Sequence, residues 1–149
     1  MKGLSTSLLA IAMAACASTP PGPSDAEVRA QVDQALEQAV QAVRTGDTDS
    51  FLTYFAPQGT MMLRGIVGPD GAAINVDLVG PDQIRPFLIQ VGPPPEFVMQ
   101  VSGFSREGPQ ATQTGTWTIG GDQAGPFSLT WSRTEQGEWR IVAWRFDAG

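Results

Sequence analysis

Few side chains in this sequence could move a proton. Histidine is absent from the 149 residues, Cys16 is the single cysteine and Tyr54 the single tyrosine. The usual general base near neutral pH and the commonest metal ligand are therefore missing. A Ser-His-Asp triad and a Cys-His pair are excluded. One cysteine and no histidine leave a tetrahedral zinc site without its usual ligands, so no metal and no cofactor are expected. The candidates for acid or base chemistry reduce to Tyr54, Asp77 and Asp147. Tyr54 stands beside Phe51, Leu52 and Phe55. Its hydroxyl either enters a pocket or is satisfied at the edge of the core. Asp77 interrupts the apolar run AINVDLV. It is either on the solvent face of an alternating strand or a buried acid with a raised pKa. Arg145 and Asp147 lie two apart and so share one face of a strand. They either line a pocket mouth or form an exposed pair worth little.

The candidates for holding a ligand are Tyr54, Met62, Trp117, Trp131 and Arg145. Methionines 61 and 62 suit an adaptable apolar lining. Trp139 and Trp144 are separated by an odd number of residues, which in a regular strand sends them to opposite faces. That predicts aromatic surface on both sides of the last strand, one side covering a helix and pocket, the other available to a dimer interface, with simple core packing the alternative for each tryptophan.

Composition limits the partners. The net charge is −6 and the eight arginines are scattered, with Lys2 the only lysine. A nucleic-acid surface needs clustered cations, so none is expected. A chain of 149 residues, 42% hydrophobic and 16% charged, fits one globular domain with a real core.

The N-terminus carries an address. Lys2 precedes the short apolar stretch LLAIAMAA, Leu8 to Ala15. It is too short to span a bilayer and suits a signal-peptide core. Met13-Ala14-Ala15-Cys16 resembles a bacterial lipobox, in which the cysteine is diacylated and becomes the first mature residue. Pro20, Pro21 and Pro23 follow in a tether. The organisation expected is a lipoprotein signal peptide over 1–15, a lipidated Cys16 with a Pro-rich tether over 16–23, and one domain over 24–149. Two acyl chains suffice for stable anchoring. With Ala17 after the cysteine rather than aspartate, the resemblance implies the outer membrane, facing the periplasm.

The elements that must position the candidate residues follow along the chain. Ser24 with Glu27 has capping-box spacing. Val28, Val32, Ala35, Leu36, Ala39, Val40 and Val43 recur at helical spacing, and Gly46 suits a left-handed cap. A short helix is expected over 48–55, ended by Pro57, and another from Gly80-Pro81-Asp82 through Ile84, Phe87 and Leu88, with Pro86 awkward inside it. Strands are expected over 60–67, 73–79, 96–106, 110–119, 126–134 and 138–146. Helices first and a meander of strands last indicate an α+β fold.

That order is familiar. "VRTGDTDSFLTYFAPQGTMML" (43–63), "GPDQIRPFL" (80–88) and "LTWSRTEQGEWRIVAWRF" (129–146) together resemble the nuclear transport factor 2-like superfamily, which includes SnoaL-like proteins and ketosteroid isomerase. The resemblance implies a cone, with a long helix and two short ones packed on a strongly curved, mostly antiparallel sheet of about six strands. An open end often holds a small-molecule pocket. It does not carry over the isomerase machinery. The position for the base falls on Leu63 and the position for the oxyanion tyrosine on Ala39. The histidines of scytalone dehydratase are absent. An Asp-Arg-Asp set like that of limonene epoxide hydrolase would have to come from Asp77, Arg85 and Asp147, whose spacing does not indicate convergence. The expectation is a lipid-anchored envelope protein whose domain binds a small apolar ligand or a protein partner without catalysis. The alternatives are a SnoaL-like enzyme using Tyr54, Asp77 or Asp147 on a hydrophobic molecule, and a structural or oligomerisation module with a filled cone.

Overall fold

A computed structural model describes residues 22–149. The expected leader, Cys16 and most of the tether lie outside the described residues.

Helix α1 runs Asp25–Thr45. Ser24 accepts from the Glu27 amide at 3.2 Å, closing the first turn. Gly46 at φ 72° ends the helix, its N–H donating to the carbonyls of Ala42 and Val43. Val28, Val32, Leu36, Ala39 and Val40 form the buried stripe, facing the sheet. Helix α2 is shorter than expected, Thr48–Leu52, because β1 begins early and runs Phe55–Val67 through Pro57. A shift in pairing between Phe55 and Thr60 accommodates that proline. Strand β2 is Ala73–Val79. Helix α3, Pro81–Val91, retains Pro86 inside it. Strands β3 (Val98–Glu107), β4 (Gln110–Ile119), β5 (Gln123–Arg133) and β6 (Trp139–Asp147) complete a curved six-stranded sheet in the order β2-β1-β6-β5-β4-β3. All neighbours are antiparallel except β1 and β6. The α+β architecture and the mostly antiparallel six-stranded sheet are those expected from the sequence.

One expectation is corrected. Trp139 and Trp144 are both buried and face the same side. Thr130 of β5 pairs with Ala143, but the next residue, Trp131, pairs with Ile141, so Val142 is an extra residue in β6. This bulge reverses the alternation and returns Trp144 and Phe146 to the inner face with Trp139 and Ile141. The tryptophans therefore give no aromatic outer face for a second copy. Around the bulge, Ser128, Thr130, Ser132 and Arg145 occupy that outer face.

A buried polar chain ties helix to sheet. Trp131 Nε1 donates to Gln113 Oε1 at 2.8 Å, and Gln113 Nε2 donates to Asp33 on α1 at 2.7 Å. Gln113 is fully buried, and both ends of its amide are satisfied, as an interior polar group requires.

Candidate functional site

The half of the cone near β1, β2 and α3 is not filled. A cavity of about 400 Å³ opens there, within the range of small-molecule sites. Its floor is buried: Phe51 from α2, Met61, Leu63 and Ile66 from β1, and Trp144 and Phe146 from β6. Ile74 of β2 and Phe87, Leu88 and Val91 of α3 form one wall. Exposed Val67 and Pro69 stand at the mouth opposite the run Gly92 to Pro95.

The proline run is fixed at both ends. Gly120 N–H donates to the Pro95 carbonyl at 2.9 Å, and Arg44 Nε donates to the Phe97 carbonyl at 2.6 Å. Pro93 lies against Gly46, where an added Cβ would come 3.2 Å from its ring. Prolines also lack freedom to rearrange, so this wall of the mouth is preformed.

Among the described residues, no ionisable side chain lines the cavity. Among the described residues, Gln123 and Trp144 are the lining residues whose side chains carry polar atoms, and the Trp144 Nε1 atom is itself closed off from the open space. Gln123 is occupied at both ends, accepting from Val67 N–H at 2.7 Å and donating to Val67 C=O at 3.1 Å. Trp144 differs from the other tryptophans. Trp117 donates to the Asp147 carbonyl, Trp131 to Gln113 and Trp139 to Gln31. The Trp144 N–H is buried and has no partner among the described residues. An unpaired buried donor costs about 1–3 kcal/mol. The ring itself is held by aromatic neighbours, with Phe146 stacked at 5.0 Å and Phe51 and Phe55 at 5.8 and 6.3 Å between centroids.

The residues singled out from sequence sit elsewhere. Tyr54 donates its hydroxyl to Gln38 of α1 at 2.9 Å, outside the cavity lining. Met62 alternates with Met61 and takes the opposite face of β1, where its strand neighbours are Asp77 and Arg145. Asp77 is exposed and pairs with Arg64 at 2.6 Å. Arg145 grips Asp147 with two hydrogen bonds of 2.8 and 3.0 Å. Arg85 pairs with Asp49 of α2, so Asp77, Arg85 and Asp147 each have a separate arginine–carboxylate pairing. Trp117 and Trp131 are buried in the filled part of the cone and do not line the cavity. Leu63 does line it.

Sequence reasoning missed Trp144, Phe146, Ile74 and the proline run as lining. The signal available was the apolar Pro93-Pro94-Pro95 segment next to an apolar helix, a rigid rim rather than only a strand start.

The titrations that depart from ordinary values belong to surface pairs. The hydrogen bonds from Arg145 hold the Asp147 carboxyl below the usual range, opposed by some burial and helped by the charges of Arg145 and Arg64. Asp47 is lowered by its hydrogen bonds from the Ser50 hydroxyl and amide. Both groups bind protons less readily folded than unfolded, so their contribution is present above the ordinary aspartate pKa of about 3.9 and is lost as pH falls through the folded values. The urea midpoint should therefore drop between about pH 5 and pH 3. Asp147→Asn should flatten that slope.

The fold recurs in solved structures. A protein of unknown function from Shewanella oneidensis superposes with a TM-score of 0.63 at 14% identity, over 80% of this chain and 98% of that one. A second, from Pseudomonas putida, gives 0.61 at 15% identity over 86% and 90%. A ketosteroid isomerase-like protein from Erwinia carotovora atroseptica gives 0.61 at 14% identity over 80% and 94%. No protein-family model matches the chain, and no curated protein matches it by sequence. The first two neighbours are described as NTF2-like, and on the strength of its helix order, curved sheet and these superpositions this chain has the nuclear transport factor 2-like fold.

Proposed function

We propose that this is a lipid-anchored envelope protein whose domain binds a small, uncharged, apolar molecule without transforming it. The observation that carries the binding reading is the lining itself: about 400 Å³ of space bounded by apolar side chains, with no acid, base or nucleophile among the described residues that line it. Such a surface favours apolar occupants through burial and penalises charged ones, which would lose their hydration without a partner. The lack of a convergent acid–base pair speaks against the SnoaL-like enzyme reading. The fold hosts binders and enzymes alike, so the site has to decide.

Titration with uncharged apolar compounds is expected to change tryptophan emission saturably, because Trp144 is part of the floor. Charged analogues of the same skeleton should bind at least about tenfold more weakly. Chemical conversion of a bound compound, or equal affinity for the charged analogues, would contradict the reading. The anchor rests on the lipobox-like Met13 to Cys16. Cys16→Ser should move the protein from the membrane pellet to the soluble fraction. Unchanged pelleting would rule lipidation out as the anchor.

A further inference from the structure

We infer that the cavity's occupant is a long, uncharged molecule with a hydroxyl end, its apolar body in the cavity and its hydroxyl on Thr48 in a smaller chamber alongside. The inference rests on the binding reading above and narrows it to a ligand class. A second hollow of about 250 Å³ lies where α1 ends, α2 begins and α3 ends. Val43, Phe51, Leu88, Gly92 and Pro93 line both spaces. Along this seam the two are therefore no more than one residue apart. At Gly92 the seam has no side chain, and an added Cβ there would meet nothing within 4 Å. A linear chain can cross such a seam, whereas a compact molecule of equal volume stays on one side.

The chemistry of the chamber sets the end group. Its surface is proportionally more polar than that of the cavity. Half-buried Thr48 is, among the described residues, the one lining side chain with a polar atom, and no ionisable side chain joins it. A threonine hydroxyl both donates and accepts, so an alcohol can use both of its own roles against it. Gly46 and Gly92, the residues that follow α1 and α3, line the chamber too. Helix C-termini carry partial negative charge, which disfavours a carboxylate end and suits a donor. Ile89 of α3 lines the chamber but not the cavity, and it is exposed. It is the place from which the chamber can be closed with the cavity left intact.

The test measures the affinities of three probes: 1-decanol, 1-chlorodecane of similar length but without the hydroxyl, and compact camphor. They are titrated into the wild-type protein, Ile89→Trp and Thr48→Val. Ile89→Trp should weaken 1-decanol about tenfold, what leaving two methylenes unburied would cost, and leave camphor within about twofold. Thr48→Val keeps the side chain's shape and removes its hydroxyl. It should weaken 1-decanol about three- to tenfold and leave 1-chlorodecane within about twofold. Unchanged camphor affinity reports an intact cavity in each variant, and the Thr48→Val comparison stands even if Ile89→Trp folds poorly. Undiminished 1-decanol affinity in folded Ile89→Trp, equal losses of 1-decanol and camphor there, or equal effects of Thr48→Val on 1-decanol and 1-chlorodecane overturn the inference and leave the apolar-binding reading standing. Failure of every probe to bind the wild type overturns both.

Discussion

Ile74→Trp is expected to weaken every cavity occupant by about 5- to 150-fold. Ile74 is half-buried on β2 and faces the cavity, its side chain resting against Gly68 at the β1–β2 turn. An indole at this position fits a strand by propensity and has the cavity to fill. A ligand would then have to displace it, at an over-packing cost of about 1–3 kcal/mol, which converts to that loss of affinity. The fold should survive because the added volume enters space the wild type leaves open. Isothermal titration with an uncharged apolar probe checks the first part, and urea unfolding the second. Undiminished affinity would mean that binding occurs elsewhere on the molecule.

Gly115→Ala should be among the most destabilising alanine substitutions at the sheet's glycines. Gly115 sits in β4 between Val101 of β3 and Phe127 of β5. A Cβ there would come 1.9 Å from the Gln100 carbonyl oxygen and 2.8 Å from the Phe127 ring. The oxygen is backbone, so relief requires β3 to move as a strand, breaking the ladder that closes the sheet's edge. A loss of more than about 4 kcal/mol is expected, in the exceptional class for a point substitution. A urea midpoint near that of the wild type would show that β3 is not held in this register.

Those two residues also mark what a sequence can reveal. The long helix was legible because its signals are local: a cap at Ser24, a periodic apolar stripe and Gly46 after it. The alternation of Phe127, Leu129 and Trp131 likewise placed β5, and β4 was located at its observed bounds. The misreadings all involve partners distant in sequence. Pro57 reads as a breaker until its strand is seen to shift register against β6. The bulge at Val142 leaves no mark in the residues around it, yet it decides that Trp144 is cavity floor rather than outer surface. The choice between Met61 and Met62 depends on strand parity, which the register shift between Phe55 and Thr60 hides from the sequence. The cavity itself is assembled from both ends of the chain's folded part and from all three helices, so no local pattern announces it. The acidic candidates were chosen by residue type. Their arginine partners, Arg64 for Asp77 and Arg145 for Asp147, hold them as ion pairs outside the cavity lining.

In the proposed function the apolar cavity is a binding site without chemistry of its own. Native mass spectrometry of the protein, purified without organic solvent or detergent exchange from the cells that produce it, tests this most directly. A reproducible adduct on the order of a few hundred daltons is expected, the size a cavity of this class accommodates. The released compound should be uncharged, and added back it should be recovered chemically unchanged. A bare chain in every preparation, still bare after uncharged apolar compounds are added, would contradict the account, as would recovery of an added compound in altered form.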